Sequence, residues 1–190
     1  MKVATLIACL LVLATGALAE KAPYNYPAAG AIDRQGGDTI ETATAIGGVP
    51  FSGAGTTVGY IHNYDEVCPY TGSTSPDVVY SFVACDTGTL SITLCGGSGY
   101  DTKLYVYHNV YTPGAPYRCN DDYCPGYVSE LSVASGSPVP VVAGDVYYIV
   151  VDGYYGANGS YTIDITGMGI LSVLVLGLGP DLSAVRIAPQ

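Results

Sequence analysis

The chain has 190 residues, 49% of them hydrophobic, with 16 acidic against 6 basic residues and a formal net charge of −10. That length suits one domain with an extension at each end, the apolar content rules out disorder throughout, and the shortage of positive charge excludes nucleic acid, whose phosphates nothing here could neutralise. The 18 tyrosines, set against 2 phenylalanines and no tryptophan, read as β-structure with wet aromatic faces, and the acidity permits cation binding.

Residues 1–19 read as a secretory signal peptide. Lys2 supplies the positive start, residues 4–14 the apolar middle, and Ala17-Leu18-Ala19 a small-residue cleavage site before Glu20. The apolar run is shorter than the roughly 18 to 20 residues a membrane span needs, so no stable transmembrane anchor is expected. Cys9 leaves with this segment, and 6 − 1 = 5 cysteines remain. Neither Ala17 nor Glu20 offers a thiol for lipidation. The expected location is secreted, extracellular or at the cell surface, where disulfides persist.

Residues 20–37 are rich in Pro, Gly and Ala without a sustained period, and read as an extended leader or linker. From residue 38 the pattern changes to short β-type runs separated by turn residues: 56–60, 77–84, 89–95, 102–108, 131–133, 139–142, 146–152 and 160–166. Val78, Tyr80 and Phe82 share a face, as do Leu90, Ile92 and Leu94, and Tyr161, Ile163 and Ile165. In the run 102–108, Leu104 and Val106 face one way while Tyr105 and Tyr107 face the other. The segment 146–151 is apolar on both faces, as a central strand requires. No window shows helical period, so residues 38–167 are predicted to form an all-β domain, an antiparallel sandwich or jelly roll. Residues 168–190 break the rhythm; their apolar start is too short to span a bilayer and reads as an extra strand, with a cut-off sorting sequence or donation to a neighbouring molecule as the competing readings.

Between residues 36 and 167 the strings GGDTIETATAI (36–46), GTTVGY (55–60), NYDEVCPYTGSTSPDVVYSF (63–82), LCGGSGYDTKLYVY (94–107), CNDDYC (119–124), SELSV (129–133) and AGDVYYIVVDGYYGANGSYTIDI (143–165) occur in order. Together they resemble the bacterial pre-peptidase C-terminal (PPC-like) domain family over about two thirds of the chain. The resemblance implies a β-sandwich jelly roll that serves exported proteins as a non-catalytic accessory module, and it implies no substrate.

Counting alone leaves the cysteine connectivity open. Cys95 closes one predicted strand and Cys119 follows the return from the next, so a Cys95–Cys119 bridge is expected. Cys68 and Cys124, both in loops, form the second, and Cys85 remains a free thiol. A zinc site needs tightly spaced cysteine or histidine pairs, which only Cys119 and Cys124 approach. Asp101, Asn120, Asp121 and Asp122 are the candidate metal ligands: hard oxygen donors suited to calcium if the bridge gathers their loops, with turn chemistry as the competing reading. Asp65 and Glu66 are expected to be an exposed pair.

Catalytic signatures are missing from the sequence: there is no H-E-x-x-H, no G-x-S-x-G, and His62 and His108 lie apart from any nucleophile pattern. The expected role is therefore non-enzymatic, a module for binding or adhesion that presents tyrosine faces to extracellular protein or polysaccharide. The alternatives are a self-assembling fibre subunit, with the chain as its own partner, or an accessory domain of an exported peptidase.

Overall fold

Alternating side chains on short strands require two sheets that close on one another, and the computed structural model, which describes residues 35–168, has this β-sandwich form. After a 3-10 turn at Ile40–Thr42 come β1 (Thr44–Ile46), β2 (Phe51–Thr56), β3 (Val78–Val83), β4 (Gly88–Thr93) and β5 (Thr102–His108). They are followed by β6 (Arg118–Asn120), β7 (Glu130–Leu131), β8 (Val139–Val141), β9 (Val146–Gly153) and β10 (Ser160–Met168). One sheet has the order β1-β3-β9-β5-β6, and the other β2-β10-β4-β7 with β8 also paired to β4. The pairing is antiparallel except for β1, which runs parallel to β3. The doubly apolar β9 is indeed central in its sheet. The expectations for residues 1–34 and 169–190, including the signal peptide, the leader and the extra C-terminal strand, lie outside the described residues.

The faces foreseen from alternation meet in the interior. Val78, Tyr80 and Phe82 of β3, Leu104 and Val106 of β5, and Tyr147, Ile149 and Val151 of β9 pack against Leu90 and Ile92 of β4 and Tyr161, Ile163 and Ile165 of β10. A tyrosine placed so deep needs a partner for its hydroxyl. Tyr80 and Tyr161 supply one another, their oxygens 2.7 Å apart, and the Gly36 N–H donates to the Tyr161 hydroxyl.

Strand β2 lies at Phe51–Thr56 rather than at 56–60. Its sequence FSGAGT shows no alternation because Gly55 sits under the Tyr161 ring, where a Cβ would come within 2.6 Å of the hydroxyl oxygen. The glycine that permits the pairing also erases the pattern that would announce it. Strands β1 and β6, each three residues long, were not foreseen.

The tyrosine face of β5 is not wet. Tyr105 and Tyr107 are buried, together with Val79 and Val150 on the same outer face of the first sheet. Tyr64, Ile40, Ala43 and Cys119 cover them. The segment 57–77 crosses that face and turns it into a second, smaller core.

A candidate cation-binding rim

Strand β9 is antiparallel to both β3 and β5, so the start of β3, the start of β5 and the end of β9 lie at one end of the first sheet. The connections 57–77, 94–101, 121–129 and 154–159 all gather there. The two bridges tie this rim, but with partners exchanged relative to expectation: Cys68 pairs with Cys119 and Cys95 with Cys124, at Cα separations of 5.9 and 5.8 Å. The reason is the pleat of β6. Cys119 sits opposite Tyr105 and shares its outer face, where Cys68 arrives in the covering segment. Cys95 and Cys124 instead pack against the interior core, so a Cys95–Cys119 bridge would have to cross the sheet. Cys85, expected as a free thiol, is disulfide-bonded as well, and no described cysteine is free.

Asp101 precedes β5, and Asp121 and Asp122 follow β6, which pairs with β5. One carboxylate oxygen from each of the three lies within 4.8 Å of the others. Asp101 is half-buried, Asp122 exposed, and Asp121 only 6% exposed. The Asp121 Oδ1 has no hydrogen-bond partner. Burial pushes the Asp121 carboxyl up to about 7, with Asp122 and then Asp101 adding to the rise. Burial and Asp122 also raise Asp101. The backbone beneath is fixed by Ser129, whose hydroxyl lies against the Asp121 and Thr102 carbonyls. Asn120, grouped with these three from the sequence, is used elsewhere: its side-chain oxygen accepts the Glu130 N–H at 2.9 Å and ties β6 to β7. Three hard carboxylates held this close, one of them buried and unsatisfied, fit a calcium ion by donor chemistry.

Beside this cluster runs a groove lined by Val67, Cys68, Pro69, Tyr70 and the segment from Cys119 to Asp122. Tyr70, 59% exposed, meets Tyr154 edge-on at 5.9 Å between ring centres, and Tyr154 meets Tyr155 at 6.0 Å. The Tyr154 N–H donates to the Asp101 carbonyl at 3.1 Å, which fixes this ridge of rings to the acidic loop.

A second set of charges lies between the segment 57–77 and the outer face of the first sheet. Lys103 is fully buried on the outer face of β5, in register with Asp152 of β9. Its ammonium donates to the Glu66 and Tyr70 carbonyls, both at 2.9 Å, and lies 3.7 Å from Asp65. Glu66 is not an exposed residue as expected: it is 1% exposed and accepts the Tyr107 hydroxyl at 2.5 Å. Asp77 takes the N–H groups of Asn63 and Tyr64 at 2.8 and 3.0 Å, and Asp152 takes the Tyr105 hydroxyl at 2.9 Å. Burial pushes Asp77 up to about 7 and holds Asp152 well above the usual carboxylate range. Sequence reasoning missed this layer. The signal was Lys103 itself, the one cation in a strand whose same face carries Tyr105 and Tyr107.

Of the two histidines, His62 is exposed and His108 half-buried. The His62 Nδ1 lies 3.1 Å from the Ser75 carbonyl. The His108 Nε2 lies 2.7 Å from Asp145 Oδ2 and its ring stacks on Tyr147. That pair closes the far end of β5, about 20 Å from the acidic rim at the usual rise per residue.

Among solved structures, the chain aligns with the pre-peptidase C-terminal domain of a collagenase from Bacillus anthracis at 17% identity and a TM-score of 0.42, covering 64% of this chain and 92% of that one. No family model and no curated protein matches the chain.

Proposed function

We propose that the chain is an exported, non-catalytic binding module acting at or outside the cell surface, with its ligand rim where Asp101, Asp121, Asp122 and the tyrosine ridge converge. Calcium held by the three carboxylates stiffens that rim. The observation that carries this reading is Asp121: a buried carboxylate with an unpartnered oxygen, flanked by two more carboxylates, is costly unless a cation joins it. The leader-like residues 1–19 and the two bridges support export, and no helix among the described residues is long and apolar enough to cross a membrane. The non-catalytic part of this reading rests on the sequence, which carries neither H-E-x-x-H nor G-x-S-x-G.

The test is thermal unfolding in calcium chloride against EDTA. Calcium at a hundredfold excess over its dissociation constant adds about 2.7 kcal/mol by mass action, read as a rise in Tm. Asp121→Ala removes the rise. An unchanged Tm, or the same rise in the variant, overturns the reading and leaves the cluster as turn chemistry.

A further inference from the structure

The groove beside the acidic cluster has two unlike walls. Val67, Pro69 and Tyr70 form an apolar wall and Asp121 and Asp122 an acidic one. Val67 and Tyr70 are 55% and 59% exposed, and the ridge continues from Tyr70 through Tyr154 to Tyr155, itself 80% exposed. The acidic wall offers acceptors through the Asp121 and Asp122 carboxylates, while the side-chain oxygen of Asn120 is already engaged by the Glu130 N–H.

What such a groove binds depends on the ion, so this inference rests on the calcium reading above. Calcium takes about 6–8 oxygen ligands, and three carboxylates fill that shell only if all bind through both oxygens. Asp122 is exposed and lines the groove, so the remaining positions open toward the apolar wall. A molecule that completes the shell must bring oxygen. Three carboxylates outweigh the two charges of the ion, and the chain as a whole carries −10, which disfavours a carboxylate or phosphate donor. Neutral oxygens remain. Peptide carbonyls come one at a time, whereas a sugar offers two adjacent hydroxyls at chelating distance on a ring whose C–H face packs on tyrosine.

The geometry points to a neutral, hydroxyl-rich polysaccharide as the partner: a vicinal diol completes the calcium shell beside Asp122 while the sugar ring lies on Tyr70. Tyr154 and Tyr155 extend the contact to further sugar units.

The experiment is native electrophoresis of the protein through gels containing mannan or dextran, with calcium chloride or EDTA. Retardation is expected in calcium and lost in EDTA. Tyr70→Ala and Asp122→Asn, both exposed positions that leave the core untouched, are each expected to weaken retention about tenfold. If calcium raises the Tm but neither polysaccharide retards the protein, the glycan inference falls and the calcium reading stands. If calcium has no effect on Tm, both fall. Retardation that survives EDTA, or that is unchanged in Tyr70→Ala, overturns the bridging geometry. Binding to poly-L-lysine that is lost in Asp122→Asn and suppressed by calcium assigns the groove to basic polypeptides instead, and overturns the proposal.

Discussion

Two groups of carboxylates occupy the same end of the first sheet and meet opposite fates. Glu66 and Asp77 of the segment 57–77 and Asp152 of β9 lie sealed between that segment and the sheet, each with a hydroxyl or backbone N–H on one oxygen, although Glu66 Oε2 and Asp77 Oδ1 are themselves unmatched. Asp101, Asp121 and Asp122 stand a strand away, at a groove, with an oxygen of Asp121 unmatched. Lys103 lies between the groups and exerts a downward pull on both Asp152 and Asp121. The chemistry of the side chains is the same on both sides. What separates them is whether the fold supplies a donor to at least one oxygen: where it does, the acids tie the covering segment to the sheet, and where it does not, as at Asp121, the proposed calcium would supply the missing positive charge.

The largest test of that division is Lys103→Ala. Removing the ammonium strips donors from two buried carbonyls and leaves the sealed acids without a cation, so a loss of about 3–5 kcal/mol is expected. Urea unfolding followed by tyrosine fluorescence measures it, and a loss below about 1 kcal/mol would show that water reaches the layer and that it is not sealed. Next is the bridge that holds the cover down. Replacing Cys68 and Cys119 together by serine is expected to cost roughly 2–4 kcal/mol, with near-ultraviolet dichroism of the tyrosines reduced as the cover loosens. Peptide mapping under non-reducing conditions should recover the 68–119 and 95–124 linkages from the parent chain, and a 95–119 linkage would contradict the register described for β6.

Asp77 sharpens the comparison through pH. Its folded-state value of about 7 lies above its ordinary 3.8, so the folded chain keeps a proton that the unfolded chain has released. Stability is then greatest near and below pH 4, declines as pH rises, and has lost the whole contribution above pH 7. Holding a proton tenfold more tightly in the folded chain is worth about 1.4 kcal/mol, so the decline amounts to roughly 2–4 kcal/mol. Asp77→Asn retains an oxygen for the Asn63 and Tyr64 N–H groups and is expected to lessen the decline by this share, gaining stability at pH 8 and changing little at pH 4, while Asp121 and Asp152, also raised, keep the remaining slope. A parallel profile in the variant would place the titration elsewhere. The smallest effect is expected on the open side: Asp122→Asn, exposed and without a buried contact, should change stability by less than about 0.5 kcal/mol in EDTA while weakening the response to calcium.

The strands with clean alternation could be read from sequence almost to their ends, because burial on one face writes itself into every second residue. Strand β5 carried that pattern over its full length, and β9 declared its central place by being apolar on both faces. β2 did not, since packing under Tyr161 demanded glycine. The site was half legible. Asp101, Asp121 and Asp122 stood out as an acidic cluster near cysteines, but whether their loops meet depends on strand order, which no local pattern encodes. The bridges failed for a sharper reason. Cys119 lies within a strand whose alternation was visible only once its pairing to Tyr105 was known, and a shift of one residue moves a side chain from one face to the other. Tyr70 and the buried lysine layer were hidden because an irregular covering segment has no period at all.

The sheet borders carry one further consequence. β1 and β6 offer three residues each, and the border formed on β4 is divided between β7 and β8. Among the described residues, only β2, at the remaining border, runs for six residues. Its end is met by a side chain in the part of a neighbouring strand: the Gln35 amide accepts the Thr56 N–H at 2.8 Å and donates to the Thr56 carbonyl at 3.0 Å. A single glutamine thus imitates one peptide unit and closes that row of hydrogen bonds. Among the described residues, Gln35 caps the Thr56 end of the β2 border, the kind of edge at which a strand from another chain would add.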